Sequence, residues 1–180
     1  MRFLNYTEEE LKQRLVTGLQ NDFDLYQEMP GVHPIDKKDV IIDYLAYPHP
    51  HLTDAGFVPD WIGIEVKGVS DNKPMKRAVD LAWQAITYSQ SDYLVEDKEM
   101  VRPAFILIYP SLEIIAKQPV TGLKCLLQKA NVGNLDFHDW HGWRIRFAAD
   151  TRYFSKKAGI VPGANIATNR RVGSSGRIYR

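Results

Sequence analysis

The sequence predicts an α/β fold: a mixed β-sheet flanked by helices. Three observations predict it. Residues 39–47 and 61–67 are β-branched and aromatic runs that read as neighbouring strands; helix-periodic residues 76–89 follow, then a continuous apolar run at 105–109. Strands joined by short turns pair antiparallel, whereas a helical crossover allows parallel pairing, so the sheet is mixed.

Residues 7–20 form the first helix in this reading. Thr7 caps it, Glu10 occupies the capping-box position, Leu11, Leu15, Val16 and Leu19 make an apolar stripe, and Gly18 weakens the end. Residues 24–29 read as a short strand, and GVHPIDKK as a turn. The next strand, DVIIDYLAY, carries Asp43 in its middle and stops at PHPHLTDAG. In WIGIEVK, Ile62, Ile64 and Val66 share one face while Glu65 and Lys67 share the other. The following helix has Val79, Ala82, Trp83 and Ile86 at helical spacing, which predicts its buried face. FILIY, ending at Pro110, suits a central strand covered on both sides. Beyond it, residues 121–130 read as a helix and GWRIRF as a strand, with no usable periodicity past about Tyr153.

The chain has 180 residues, 44% of them hydrophobic and 25% charged, which are globular proportions. One domain is expected, large enough to need neither disulfides nor a structural metal. A lone cysteine, Cys125, excludes an internal disulfide and any CxxC site, so a soluble protein of a reducing, cytoplasmic compartment is expected. Apolar runs are too short to span a membrane, and the N-terminus turns acidic before a signal peptide could develop, so no membrane partner is expected. Charge is divided unevenly: residues 151–180 hold seven basic side chains and no acidic one, against sixteen basic and 22 acidic in residues 1–150. The division suggests a body over 1–150 and a basic extension over 151–180, whose Arg170, Arg171 and Arg177 suit a polyanion.

Charged side chains are rare in buried strands because removing an unpaired ion from water costs several kcal/mol. Two consecutive strands here contain them. Asp43 and Glu65 lie 22 residues apart, a separation that lets the strands adjoin with their carboxylates close. Such a pair repels unless one takes a proton or a cation sits between them. Hard oxygen ligands favour Mg2+ or Mn2+, and Lys67 stands where it could offset charge developing on a phosphate. The plainer alternative is a cross-strand salt bridge between Lys67 and Asp43 on a solvated face, worth at most about 1 kcal/mol.

Asp43 inside an apolar strand, then Ile64-Glu65-Val66-Lys67 in the next, resembles the core of the PD-(D/E)XK nuclease superfamily, with its restriction-endonuclease-like αβββαβ order. Gln84 and Tyr88 in QAITY resemble the QxxxY element of its RecB-like branch, and i, i+4 spacing puts both on one helical face. The resemblance covers roughly residues 5 to 110. It implies a Mg2+- or Mn2+-dependent nuclease acting on DNA, in end processing, recombination or replication, with RNA also open as substrate. It implies metal ligation by Asp43, Glu65, the Val66 carbonyl and an upstream acid, catalysis by Lys67, and a substrate grip by Gln84 and Tyr88. Glu28 is the first candidate for that acid and Glu10 the second, with Glu8 and Glu9 read as helix-dipole charges. Pro59-Asp60 lies too close to Glu65 for a separate strand and reads as a loop. Lys73, Lys76 and Arg77, entering the QxxxY helix, are expected to touch flanking phosphates. With no room for a helicase, the chain is expected to act alone, as a homo-oligomer or with a loading partner.

A structure-selective or junction-cleaving endonuclease competes with an exonuclease, and a non-cleaving nucleic-acid-binding protein on the same fold is the rival outside enzymology. His33, His49, His51, His138 and His141 lack the partners that complete a zinc set, and no nucleotide-binding or esterase motif is present. Phe137, Trp140, Trp143 and Phe147 read mainly as packing for the last strand, with Arg144 and Arg146 alternating outward.

Overall fold

A computed structural model of the chain describes residues 6–95, 99–139, 142–148 and 151–160. Helix α1 (Glu8–Leu19) starts at Thr7, whose side chain accepts from the Glu10 amide while Glu10 reaches back to the Thr7 amide, completing the capping box. Its buried residues Leu11, Leu15 and Leu19 face the sheet. Strands β1 (Phe23–Val32) and β2 (Asp39–Pro48) form an antiparallel hairpin closed by the expected turn, and β2 pairs antiparallel with β3 (Ile62–Val66). The segment between β2 and β3, expected as a loop, contains the short helix α2 (Pro50–Asp54), begun by the favourable proline at its first turn.

Helix α3 (Pro74–Gln90) then crosses over, and strands β4 (Asp92–Leu94) and β5 (Met100–Val101) extend the β1 edge. Strand β6 (Ile106–Tyr109) returns parallel to β3 and is buried throughout. Helices α4 (Leu112–Ala116) and α5 (Thr121–Lys129) precede β7 (Val132–His138), which lies parallel to β6. Strands β8 (Gly142–Phe147), β9 (Thr151–Ser155) and β10 (Gly159–Ile160) continue antiparallel. The ten strands make one mixed sheet in the order β10-β9-β8-β7-β6-β3-β2-β1-β4-β5. Two cores cover its faces. One packs α1 against Tyr44, Ile62, Ile64, Val66 and the aromatic residues of β8 and β9; the other packs α3, α4 and α5 against Ile42, Leu45, Ile106 and Ile108.

The buried face of α3 is in part the expected one: Ala82 is buried and Ile86 packs against the core, whereas Val79 and Trp83 turn outward. Ala78, Leu81, Ala82, Ala85 and Tyr88 face the sheet, while Val79 and Trp83 are 37% and 67% exposed. Alanines let the helix lie close to Ile106 and Ile108, and their small area hides the stripe from a reading weighted toward large side chains.

Residues 151–160 belong to the sheet. Buried Asp22 accepts from Trp143 Nε1 at 2.7 Å, Lys156 Nζ at 2.9 Å and His51 Nε2 at 3.1 Å, joining the end of α1, α2 and the β8–β9 hairpin. Burial alone would raise its pKa, but these donors outweigh it and hold the carboxyl below its ordinary value. Trp143 and Phe147 are core residues, as expected, and Arg144 and Arg146 both reach Asp136. Trp140, His141, Arg170, Arg171 and Arg177 lie outside the described residues. Among the described residues, no helix is long and apolar enough to cross a membrane.

Candidate active site

The β2–β3 ladder ends where the two acidic residues begin. Tyr44 pairs with Ile64, so Asp43 and Glu65 occupy the next register position, but there the strands separate. Asp43 fills the opening with its side chain, its Oδ2 accepting from the Val66 amide at 2.8 Å in place of a main-chain carbonyl. The opposite edge of β2 is irregular at the same residue: Glu28 and Asp43 drop out of an otherwise continuous β1–β2 ladder, and Glu28 has φ 52°. Alternation breaks there as well. Ile42 and Leu45, three residues apart, pack in the α3-side core, while Tyr44 packs on the α1 side.

Glu65 is only 4% exposed and lies on the α3 side of the sheet. Among the described residues its Oε2 finds no hydrogen-bond partner. Burial, and next the charge of Asp43, push its pKa up to about 9, against a smaller opposing pull from the Asp43 backbone and the Lys67 ammonium. Without a cation, Glu65 therefore keeps its proton at neutral pH. Its neighbours on that side belong to α3 and β4: the Gln84 amide donates to Tyr88 Oη at 2.6 Å, and burial, then Glu65, push the Tyr88 phenol up to about 12. Burial, and then the charges of Tyr88 and Glu65, raise the Tyr93 phenol too.

Two residues of the site were missed in the sequence reading, both on α1. Lys12 Nζ lies 2.6 Å from Asp43 Oδ1, and Glu8 Oε2 lies 3.6 Å from Lys67 Nζ. Burial lowers the affinity of Lys12 for its proton, but the hydrogen bond and charge of Asp43 overcome this and raise its pKa. The Lys67–Asp43 salt bridge of the plainer alternative is not formed; these two pairs take its place. Lys67 sits one residue past β3, where strand alternation no longer constrains it, and its side chain turns toward α1. Residues 8, 12, 15 and 19 share a helical face with the buried leucines, and that periodicity is the signal that could have found Glu8 and Lys12.

Backbone contacts hold this junction. The Val69 amide donates to the Tyr6 carbonyl at 2.9 Å, and a Cβ on Gly68 would stand 3.2 Å from both the Tyr6 carbonyl oxygen and the Glu8 amide nitrogen. Glycine permits that approach, and the approach sets Glu8 beside Lys67.

The remaining expected residues are less concentrated. Glu28 is exposed across the hairpin from Asp43, and the Glu10 carboxylate is engaged by Thr7. Among the described residues, no group of three or more His, Cys, Asp or Glu side chains is close enough to hold a metal ion, so the acidic centre is the pair Asp43 and Glu65. Lys73 is exposed at the start of α3, Lys76 pairs with Asp80 at 2.6 Å, and Arg77 Nη2 donates to the Gly68 carbonyl at 2.6 Å. Asp60 caps the Trp61 amide at 2.8 Å, within the expected loop. His49 Nε2 meets Asp24 at 3.1 Å.

Chemically, this is a buried carboxyl group beside a carboxylate, with two ammonium groups and a phenol around them. It can hold a proton between the acids or exchange that proton for a cation. Compared with models of protein families, with curated proteins and with solved structures, the chain matches none.

Proposed function

We propose that the chain is a Mg2+- or Mn2+-dependent nuclease that hydrolyses phosphodiester bonds in DNA, on a PD-(D/E)XK-like core. One observation carries the reading: Asp43 and Glu65 meet where β2 and β3 separate, and the buried Glu65 oxygen has no hydrogen-bond partner among the described residues. The order α1, β1, β2, β3, α3, β6, with the Gln84–Tyr88 pair beside Glu65, supports it.

These residues fit a divalent cation. A hard ion needs only one to three carboxylates and completes its shell with water, and its charge would offset the burial and the Asp43 repulsion that now keep Glu65 protonated. Asp43, Glu65 and the Val66 carbonyl would hold it, while Glu8 pairs with Lys67 beside them. When bound, the ion would supply Lewis acidity toward a phosphate oxygen and a more acidic water.

The chain's own residues account for the rest. Lys67, oriented by Glu8, places positive charge against the negative charge that builds on the phosphate during attack. Tyr88 keeps its phenolic proton at neutral pH, so it donates to a phosphate or sugar oxygen, and Gln84 orients it. A net-acidic body repels DNA, so the basic residues of 151–180 would supply attraction that weakens as salt rises.

A second reading has one observation in its favour. Lys12 already neutralises Asp43, as a structural ion pair would, and a non-cleaving nucleic-acid-binding protein needs no more. Purified protein incubated with linear, nicked, single-stranded and branched DNA, under Mg2+, Mn2+ or EDTA, separates the two. Cleavage with either metal, lost in EDTA and reduced at least about 100-fold by Glu65→Ala and by Lys67→Ala, supports the nuclease. Binding without cleavage of any form supports the alternative.

A further inference from the structure

Among the apolar side chains of α3, Trp83 is the most exposed, at 67%. It lines an open groove of about 620 Å3 between α3 and the outer end of β2, together with Ile41, Lys38, Asp39, Gln84 and Tyr88. Ile41 is also largely uncovered, at 62%. Gln84 and Tyr88, the hydrogen-bonded pair of the proposed site, line this groove as well, so the groove adjoins that site.

We infer that this groove is a stacking subsite for an unpaired nucleotide next to the scissile phosphate, which makes the substrate DNA with a single-stranded segment. The inference rests on the nuclease reading for its position and on the groove for its chemistry. The exposed indole of Trp83 offers a face to a flat ring, while Gln84 and Thr87 offer polar groups to a base edge. Lys38, which among the described residues forms no side-chain hydrogen bond or ion pair, supplies charge for a phosphate against the opposing carboxylate of Asp39. Paired bases keep their faces inside the duplex stack, so only an unpaired or extruded base can lie on Trp83.

A protein partner would leave a different trace. Met75, Val79 and Trp83 share an exposed helical edge, at 36%, 37% and 67%, with exposure greatest where the groove opens. A helix-binding partner or a second copy would cover the whole edge.

The test measures binding of full-length protein to a fluorescent oligothymidine and to a duplex of equal length, in EDTA so that nothing is cut. Trp83→Ala should weaken single-strand binding about tenfold and leave duplex binding unchanged, and Trp83→Phe should restore most of the loss. Val79→Lys should have little effect on either. Equal weakening of both ligands, no weakening at all, an equal effect of Val79→Lys, or a dimer that Trp83→Ala dissociates would each overturn the inference. The cleavage assay with metal is scored separately. Cleavage with no dependence of single-strand binding on Trp83 defeats the stacking subsite alone, whereas Trp83-dependent binding without cleavage defeats the nuclease reading alone.

Discussion

The Val66 amide donates to Asp43 Oδ2 at 2.8 Å, so a side chain of β2 completes the hydrogen bonding of β3 at the point where the two strands part. The same carboxylate takes Lys12 on its other oxygen at 2.6 Å. Asp43 is thus a structural joint and an anion at once. Asp43→Asn, which keeps an acceptor for the Val66 amide, should retain the fold and lose cleavage; Asp43→Ala should lose both cleavage and on the order of 1–3 kcal/mol of stability. Thermal unfolding of the two variants, beside the cleavage assay, checks the difference.

Glu65 should make stability depend on pH. Its folded pKa of about 9 lies above the ordinary 4.5, so between those values the folded chain holds a proton that the unfolded chain has released. The stabilisation linked to that proton is complete below about pH 4.5 and is lost as pH rises through about 9. Metal-free protein should therefore lose stability from pH 5 to pH 9, and Glu65→Gln should flatten the decline. Denaturant melts at pH 5, 7 and 9 measure it; parallel curves for the two proteins would show that Glu65 titrates as an ordinary carboxyl.

Lys12 competes with any cation for Asp43. Lys12→Met should lower the unfolding temperature without metal, because it leaves two acids facing each other. It should also shift the Mn2+ dependence of unfolding to lower concentration, because the competitor is gone. A shift to higher concentration would show that Lys12 helps to build the cation site.

Gly68→Ala places a methyl group about 3.2 Å from backbone atoms of Tyr6 and Glu8, which cannot yield as a flexible side chain does. The entrance of α1 should move away from β3, carrying Glu8 from Lys67. Cleavage should fall more than stability, and Glu8→Gln should reproduce the loss of cleavage while leaving the unfolding temperature within a few degrees.

Much of this architecture was legible in the chain because local signals agreed. Thr7 and Glu10 marked a helix start, the Asp43 and Glu65 strands announced themselves by β-branched residues, and the spacing of Gln84 and Tyr88 fixed their common face. Strand β7 was hidden because its sequence contains Gly133 and Asn134, whose roles are tertiary: Gly133 makes room for Phe147, and Asn134 Oδ1 accepts from the Leu112 amide at 3.1 Å. The α3 face was read correctly at Ala82 and Ile86 and wrongly at Val79 and Trp83, because alanine contributes little to an apolar pattern yet sets the closest packing. In the site, the residues of β2, β3 and α3 were found and those of α1 were missed. Glu8 and Lys12 look like ordinary surface charges until the Gly68 contact brings α1 against the end of β3.

Calorimetric titration of Mn2+ into the protein at pH 7.5, repeated in buffers of different ionisation enthalpy, tests the shared-cation site most directly. The account predicts binding that releases close to one proton, supplied by Glu65, with both the heat and the proton release abolished in Glu65→Gln and Asp43→Asn. Binding of undiminished strength in those variants, or no binding to the unmodified protein at millimolar Mn2+, would contradict it.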